Sequence, residues 1–335
     1  MASSSRTDAS GITRKLIRLA VAVIVVLALY TGGWFYAASW VKTTLDRELA
    51  ASGQGLHSAS CSNLDVRGFP FRIGLFCDSV AFDDRATGLS ATFGALRSAA
   101  QVYRPGHTVL EIDGPAQVRV TPDLVFDADW DLLHASATAW TDGLDRASVA
   151  YDGLKGRLNV PSEGISLGIA ATHGEKHIRQ SGAALDVAAS FDALSLDLGD
   201  RVLPPLDVAA DMTIADAARW ISAEGPPADA PLGASAELRR LSLDLGGGKV
   251  MTLSGPLKVG DDGYLSGTLD LDIAGITVWR DRISKAFPEI AETAAQVAQA
   301  IEGLSKGNDR AVVKLRVEDG TVYLGLFPIA FIPPF

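Results

Sequence analysis

A chain of 335 residues with 40 Asp and Glu against 30 Lys and Arg has a formal charge of −10, a field for which nucleic acid and anionic lipid surfaces are poor partners. At 47% hydrophobic residues it has material for one large β domain or two smaller ones, so core size sets no limit. Its 33 glycines, three methionines and recurrent Leu-Asp alternation point to strands and turns.

Residues 1–13 are Ser-rich and polar and read as the disordered part of a short cytoplasmic tail, 1–15. Residues 16–41 read as a membrane span. No residue from Leu19 to Val41 is charged, and the run can cross a bilayer core of roughly 30 Å at about 1.5 Å per helical residue. Arg14, Lys15 and Arg18 precede it, whereas Lys42 and Arg47 beyond it are offset by Asp46 and Glu48. This bias places the N-terminus in the cytoplasm, a single-pass anchor in the inner membrane and the bulk of the chain in the periplasm. Trp34, Tyr36 and Trp40 gather at the far end, where amphipathic rings favour the headgroup zone. The alternative is a cleaved signal peptide, for which Ala37-Ala38-Ser39 offers small residues, although the apolar core of such a peptide usually spans about 7–15 residues. From 42 to 55 the helical period continues through Thr44, Leu45 and Leu49 as a stalk, until Ser52-Gly53 and Gly55 break it.

The β-rich region, 56–335, opens with both cysteines of the chain, Cys61 and Cys77. Between them Arg67-Gly68-Phe69-Pro70 carries turn chemistry between two β-prone arms. A reversal centred on Phe69 sets Cys61 directly opposite Cys77, and an exported location permits a disulfide between them. Such a bridge stabilises the fold by about 3 kcal/mol in the chain-entropy description.

Period-two patterning follows, the mark of half-buried strands. Leu124, Phe126, Ala128, Trp130 and Leu132 predict one strand. Leu185, Val187, Ala189 and Phe191 predict another, after which Leu194, Leu196 and Leu198 resume out of step, implying a bulge or tight turn near Ala193. Leu206 to Ile214 and Leu265 to Ile273 repeat the alternation, and Val313–Val317 with Val322–Leu326 flank Glu318-Asp319-Gly320 as a hairpin. Gly246-Gly247-Gly248 and Asp261-Asp262-Gly263 mark further turns, and the Pro-rich 224–231 marks a loop or an internal boundary. One amphipathic helix is predicted from Ile276 to Leu304, with Pro288 kinking it or opening a second segment.

A sheet with one aliphatic face must bury it against something, and one helix covers only part of it. The expected fold is therefore mainly β: a transmembrane helix, then a large antiparallel sheet, either curled around a groove or doubled into a sandwich, with the long helix near the C-terminus.

The anchor, the Cys61 to Cys77 segment with GFPFR at Gly68 to Arg72, and the closing VEDGTVYLGLFPIAFIPPF from Val317 to Phe335 resemble, in that order, a mainly alphaproteobacterial family known as domain of unknown function 2125. The resemblance covers essentially the whole exported region. It implies a membrane-anchored, β-rich envelope protein and supplies no reaction or catalytic residues. The leucine-alternating strands and closing DG turn are also similar to the large envelope proteins of AsmA type, which implies lipid movement at the level of fold alone.

Catalytic motifs are weak. Gly164-Ile165-Ser166-Leu167-Gly168 matches G-x-S-x-G but sits in a strand-like run, where a nucleophile elbow needs a strand-to-helix turn. His173 and His177 flank Glu175 without forming H-E-x-x-H, and Gly174 argues for a turn bearing exposed loop histidines. The aspartates of DADWD, and Asp270 with Asp272, fall on solvated strand faces. The reading is thus a non-enzymatic envelope protein with no metal or cofactor, offering acyl chains a groove lined by Leu124, Phe126, Trp130, Phe191, Leu269 and Leu271. The alternative is a scaffold with a closed β core that binds another envelope protein through the helix or the polar face. A hydrolase would require Ser166 to converge with His173 or His177.

Overall fold

The computed structural model describes residues 9–53, 57–121, 123–227, 229–305 and 307–335. Helix α1 (Ala9–Ser52) leads into a single antiparallel sheet of 20 strands among these residues. The first ten strands run end to end as five broken ribbons. These are β1 (His57–Ser62) with β2 (Asp65–Arg67), β3 (Arg72–Cys77) with β4 (Ser79–Asp84), and β5 (Leu89–Phe93) with β6 (Leu96–Gln101). Then come β7 (Arg104–Ile112) with β8 (Ala116–Thr121), and β9 (Leu124–Asp129) with β10 (Leu132–Trp140). Each ribbon pairs with the next, and the continuous β11 (Gly143–Val160) receives β10 on its first half and β9 on its second.

From β11 the meander continues through β12 (Ile165–Ser181), β13 (Ala184–Asp197), β14 (Leu206–Ile214), β15 (Ser235–Asp244), β16 (Val250–Val259) and β17 (Leu265–Ala274). Two helices, α2 (Ile276–Ala286) and α3 (Ala291–Leu304), precede β18 (Arg310–Glu318), β19 (Thr321–Leu324) and β20 (Phe327–Phe331). No ladder joins β1 or β2 to β20 among the described residues, so the curled sheet is open.

Much of this follows the expected pattern. The slip at Ala193 is a bulge between Phe191 and Leu194, with Ala193 at φ 50°. The hairpin turn is Asp319-Gly320, both at positive φ, as a tight two-residue turn requires. Pro288 does open a second helical segment, because a ring without an N–H cannot continue α2.

Other expectations are corrected. Residues 9–13, read as disordered, form the first turns of α1, while residues 1–8 of the tail lie outside the described residues. The stalk continues the span as expected: α1 is unbroken to Ser52, where the helix ends, and Gly55 lies outside the described residues. Trp34, Ala38, Val41, Leu45 and Leu49, buried or half-buried at steps of three and four, form the stripe through which α1 meets β1 and β2. The strand expected from Leu124 to Leu132 is two. The chain breaks at Trp130-Asp131, where Trp130 Nε1 donates to the Ile112 carbonyl at 2.7 Å and Asp131 N–H donates to the Asp152 carbonyl at 3.0 Å.

The breaks align into one transverse crease. Gly94 N–H donates to the Asp113 carbonyl, Asp113 N–H returns a bond to the Ala95 carbonyl, and Gly153, at φ 65°, faces the Asp131 carboxylate. Each break shifts the phase of alternation, so that Phe126 pairs with Leu158 on one side while Ala135 pairs with Val149 on the other. The phase shift keeps aliphatic residues on one side of the sheet although their parity changes.

The disulfide supports this. Cys61 and Cys77 are bonded, Cα to Cα 5.3 Å, and lie on strands at opposite sides of the crease. They are not in register as expected: Cys61 pairs with Val80 and Cys77 with Leu96, because the reversal is centred between Pro70 and Phe71 rather than on Phe69.

At the far end of the sheet α2 and α3 cover the aliphatic face. Ile276, Trp279, Ala298 and Ile301 pack on Leu269, Leu271, Ile273, Val313 and Leu315 as one buried core.

Candidate functional site

The aliphatic face continues beyond the helices, and apart from the segment 217–222, which packs on the ends of β11 and β12 beside the buried Leu185, no second layer lies over it among the described residues. Ile73, Leu110, Ala135, Val149, Ile178 and Val187 are half-buried, sheltered by neighbours in the sheet rather than by a covering element. Leu124 and Phe126 lie on this open part, Phe126 opposite Leu158 and Val118. Phe191 lies there too, its ring 6.4 Å from that of Tyr151. Trp130 sits in the crease. Leu269 and Leu271 do not join them: they belong to the covered core, at 8% and 6% exposure.

Glycines let the rings lie flat on this face. A Cβ at Gly156 would stand 2.8 Å from Phe126 Cζ and 3.0 Å from Ile169 Cγ2, and one at Gly174 would meet the Tyr151 ring. A strand glycine commonly marks such a close approach. This overturns the turn expected at Gly174: His173 to His177 lie in the middle of β12, between β11 and β13.

Of the polar groups that share the aliphatic face, two stand out. Lys176 pairs with Val149 on one side and Ala189 on the other, is exposed, and makes no ion pair among the described residues. The Tyr151 hydroxyl is buried without a hydrogen-bond partner, and burial raises its pKa above the usual phenol value. Neither was singled out from the sequence. The Gly174, Lys176, Ile178 spacing along Tyr151's neighbour strand was the available signal, masked by the two histidines that alternate with it.

On the opposite, polar face, a chain of side chains spans β11 and β12. Asp152 Oδ1 lies 2.6 Å from His173 Nδ1, His173 Nε2 lies 3.3 Å from Glu175 Oε1, Glu175 Oε2 lies 3.0 Å from His177 Nε2, and His177 Nδ1 lies 2.8 Å from Ser148 Oγ. Asp152 first, and then Glu175, raises the pKa of His173, while His177 and His173 lower that of Glu175. The chain borders a cavity of about 520 Å³ that Arg97, Glu111 and His134 also line.

Ser148, His177 and Glu175 have the order of a nucleophile, base and orienting acid. Ser148, however, is mid-strand between β10 and β12, whose ladders engage the backbone amides that an oxyanion would need. Ser166 takes no part. It donates to Asn159 Oδ1 at 2.9 Å and pairs with Asn159 in the ladder, eleven residues and roughly 36 Å of strand from His177. Among the described residues no group of three or more His, Cys, Asp or Glu side chains could hold a metal ion.

A third feature is a groove of about 900 Å³ between α3 and β18–β20, lined by Val297, Leu304, Val312, Leu326 and Phe327. Leu326 and Phe327 are 87% and 74% exposed, more than a solvated surface requires of large apolar side chains.

A family model described as "Uncharacterized protein conserved in bacteria (DUF2125)" matches residues 34–333. Neither the curated proteins nor the solved structures contain a match to the chain.

Proposed function

The chain belongs to this bacterial family, and we propose that it is a non-enzymatic, membrane-anchored envelope protein whose open aliphatic face binds lipid acyl chains. The observation that carries this reading is the contrast within one sheet. From β17 to β19 the aliphatic face is sealed by α2 and α3, whereas from β3 to β13 the same kind of face is covered among the described residues only at the ends of β11 to β13, where the segment 217–222 packs and buries Leu185. Leaving so much apolar area in water costs about 25 cal/mol for every Å², so an occupant that removes it from water is stabilised there. An acyl chain is long, narrow and apolar, as the strip is. The anchor supports the same reading, since α1 is apolar enough to cross a membrane and would keep the face beside a lipid source.

Native mass spectrometry with lipid extraction tests this on the full chain, with the docked half of α1 intact, exported to an oxidising periplasm and released from a mild detergent in the gas phase, against an α1-only control for annular lipid. Phospholipid at defined stoichiometry is the expected result. A clean apo mass with cooperative unfolding would overturn it.

The second reading, a scaffold that binds another envelope protein, is favoured by the groove beside α3, where Leu304, Val312, Leu326 and Phe327 are exposed together. Its test is whether charged replacements at Leu326 and Phe327 abolish a pull-down partner while lipid content is unchanged.

A further inference from the structure

We propose that the end of the sheet at which α1 docks is set into the lipid leaflet that α1 enters last, so that the open face begins within the membrane. This rests on the membrane-anchored part of the reading above and is independent of what the face carries.

The argument is one of level. Counting from Leu19, the first residue after the last basic side chain, about 20 helical residues are needed to cross the hydrocarbon core, which brings the span to Ala38. The sheet meets α1 before that point. Tyr30 Oη donates to the Pro70 carbonyl at 2.5 Å, and Trp34 Nε1 donates to the Arg72 carbonyl at 3.0 Å. The Phe69 ring stacks on Phe35 and meets Trp34 edge-on, with centroids 5.5 Å apart in both cases. At about 1.5 Å per residue the β2–β3 turn therefore lies roughly 6–12 Å below the end of the apolar span.

Its neighbours at the same end have matching chemistry. Val102 N–H donates to the Phe71 carbonyl at 3.0 Å, tying the β6–β7 turn to the first. Trp140 closes the next ribbon against Gly106. Phe71, Tyr103 and Trp140 are 64%, 75% and 70% exposed, one ring on each of three successive turns. Trp and Tyr favour the membrane–water boundary because a polar edge accompanies an apolar ring.

Arg72 and Arg104 flank these rings, and neither pairs with a carboxylate among the described residues. Long basic side chains of this kind keep the stem in hydrocarbon and the guanidinium among phosphates. At the opposite end, the β4–β5, β11–β12 and β13–β14 connections hold Arg85, Glu163, Asp200 and Arg201 and no aromatic ring. At the α1 end itself the β14–β15 connection, which carries Trp220 and Leu232, folds back onto the β10–β11 turn through the Gly143–Ser222 bridge, and the last turns, Asp261-Asp262-Gly263 and Asp319-Gly320, are acidic. The sheet thus leaves the membrane as it proceeds from α1.

The test is photocrosslinking of the full chain in the membranes of the producing bacterium. A photoreactive amino acid is placed at Phe71, Tyr103 or Trp140, with Arg85 and Glu163 as controls at the other end and Phe126 on the open face. Thiol alkylation confirms the Cys61–Cys77 disulfide, and hence the fold, in every variant. The expected result is severalfold more phospholipid adduct at the three lip positions than at the controls. Lip adducts no more abundant than those of the controls, or adducts to protein alone, would overturn the proposal. Lipid at the lip without lipid at Phe126 would keep the lip and remove the acyl-chain reading; the converse would do the opposite.

Discussion

Lys176 stands directly opposite Val149 in the β11–β12 ladder, so a lone ammonium group rises from an aliphatic face, two residues along the strand from the glycine that the Tyr151 ring covers. A cation in that place suits the phosphate of a lipid whose chains lie on the strip. Lys176→Glu is expected to lose co-purifying phospholipid, while the unfolding midpoint stays nearly constant, since exposed substitutions usually change stability by no more than about 0.5 kcal/mol. Lys176→Glu protein that retains the full lipid complement would exclude this role.

The open and covered parts of the face respond differently to the same change. Phe126→Asp adds a charge where water has access and is expected to cost on the order of 1 kcal/mol while removing bound lipid. Leu271→Asp buries a carboxylate beneath α2 and α3 and is expected to cost 4 kcal/mol or more, about enough to unfold the domain. Urea unfolding with lipid quantification of both variants checks this. Equal loss of stability would show that Phe126 also lies in a closed core.

Alternation along a strand tells which residues share a face, but not whether anything covers that face. This is why Leu271 and Phe126 carry the same signal in sequence and have different surroundings. The single-phase strands, β14 and β18 among them, were legible because one pattern persists from end to end. The crease was legible only at Ala193, where the leucines visibly slip. Elsewhere its breaks use different residues, from Asn63 and Asp78 to Gly94, Asp131 and Gly153, and no shared motif announces them. The His173 to His177 segment failed for a related reason. Its aliphatic-side positions hold Gly174 and Lys176, neither of which reads as apolar, so a mid-sheet strand resembled a loop.

The disulfide joins strands that only short ladders hold. β2 contributes three residues to its pairing with β3, and the crease interrupts both ribbons beside the bridge. The paired substitution Cys61→Ser with Cys77→Ser frees a loop whose ends are 16 residues apart, which corresponds to about 3 kcal/mol. Hydrogen exchange should locate the loss in β1 to β4 and in the half of α1 that packs on them, with β15 to β18 unchanged. Uniform loss of protection across the sheet would show instead that the meander unfolds as one unit.

The polar face has its own pH signature at Asp186. Thr213 Oγ1 donates to its Oδ1 at 2.7 Å, Arg179 Nε and Nη2 donate to Oδ2 at 3.0 and 2.9 Å, and Arg239 Nη1 donates to Oδ1 at 3.1 Å. Led by the Thr213 bond, these partners lower the carboxyl pKa from 3.8 to about 2. A carboxylate whose pKa is depressed in the folded state adds stability that is complete above its unfolded value and disappears as pH falls through the folded one. The contribution of Asp186 is therefore whole at pH 5 and decays between pH 3.8 and about 2. Asp186→Asn removes the charge from four donor bonds and is expected to cost on the order of 2 kcal/mol at neutral pH, the scale of a hydrogen bond to a charged group. Below pH 2 the variant and the parent should converge. Thermal unfolding of both from pH 7 to pH 2 measures the gap, and a gap that stays constant across that range would show that Asp186 acts through packing rather than charge.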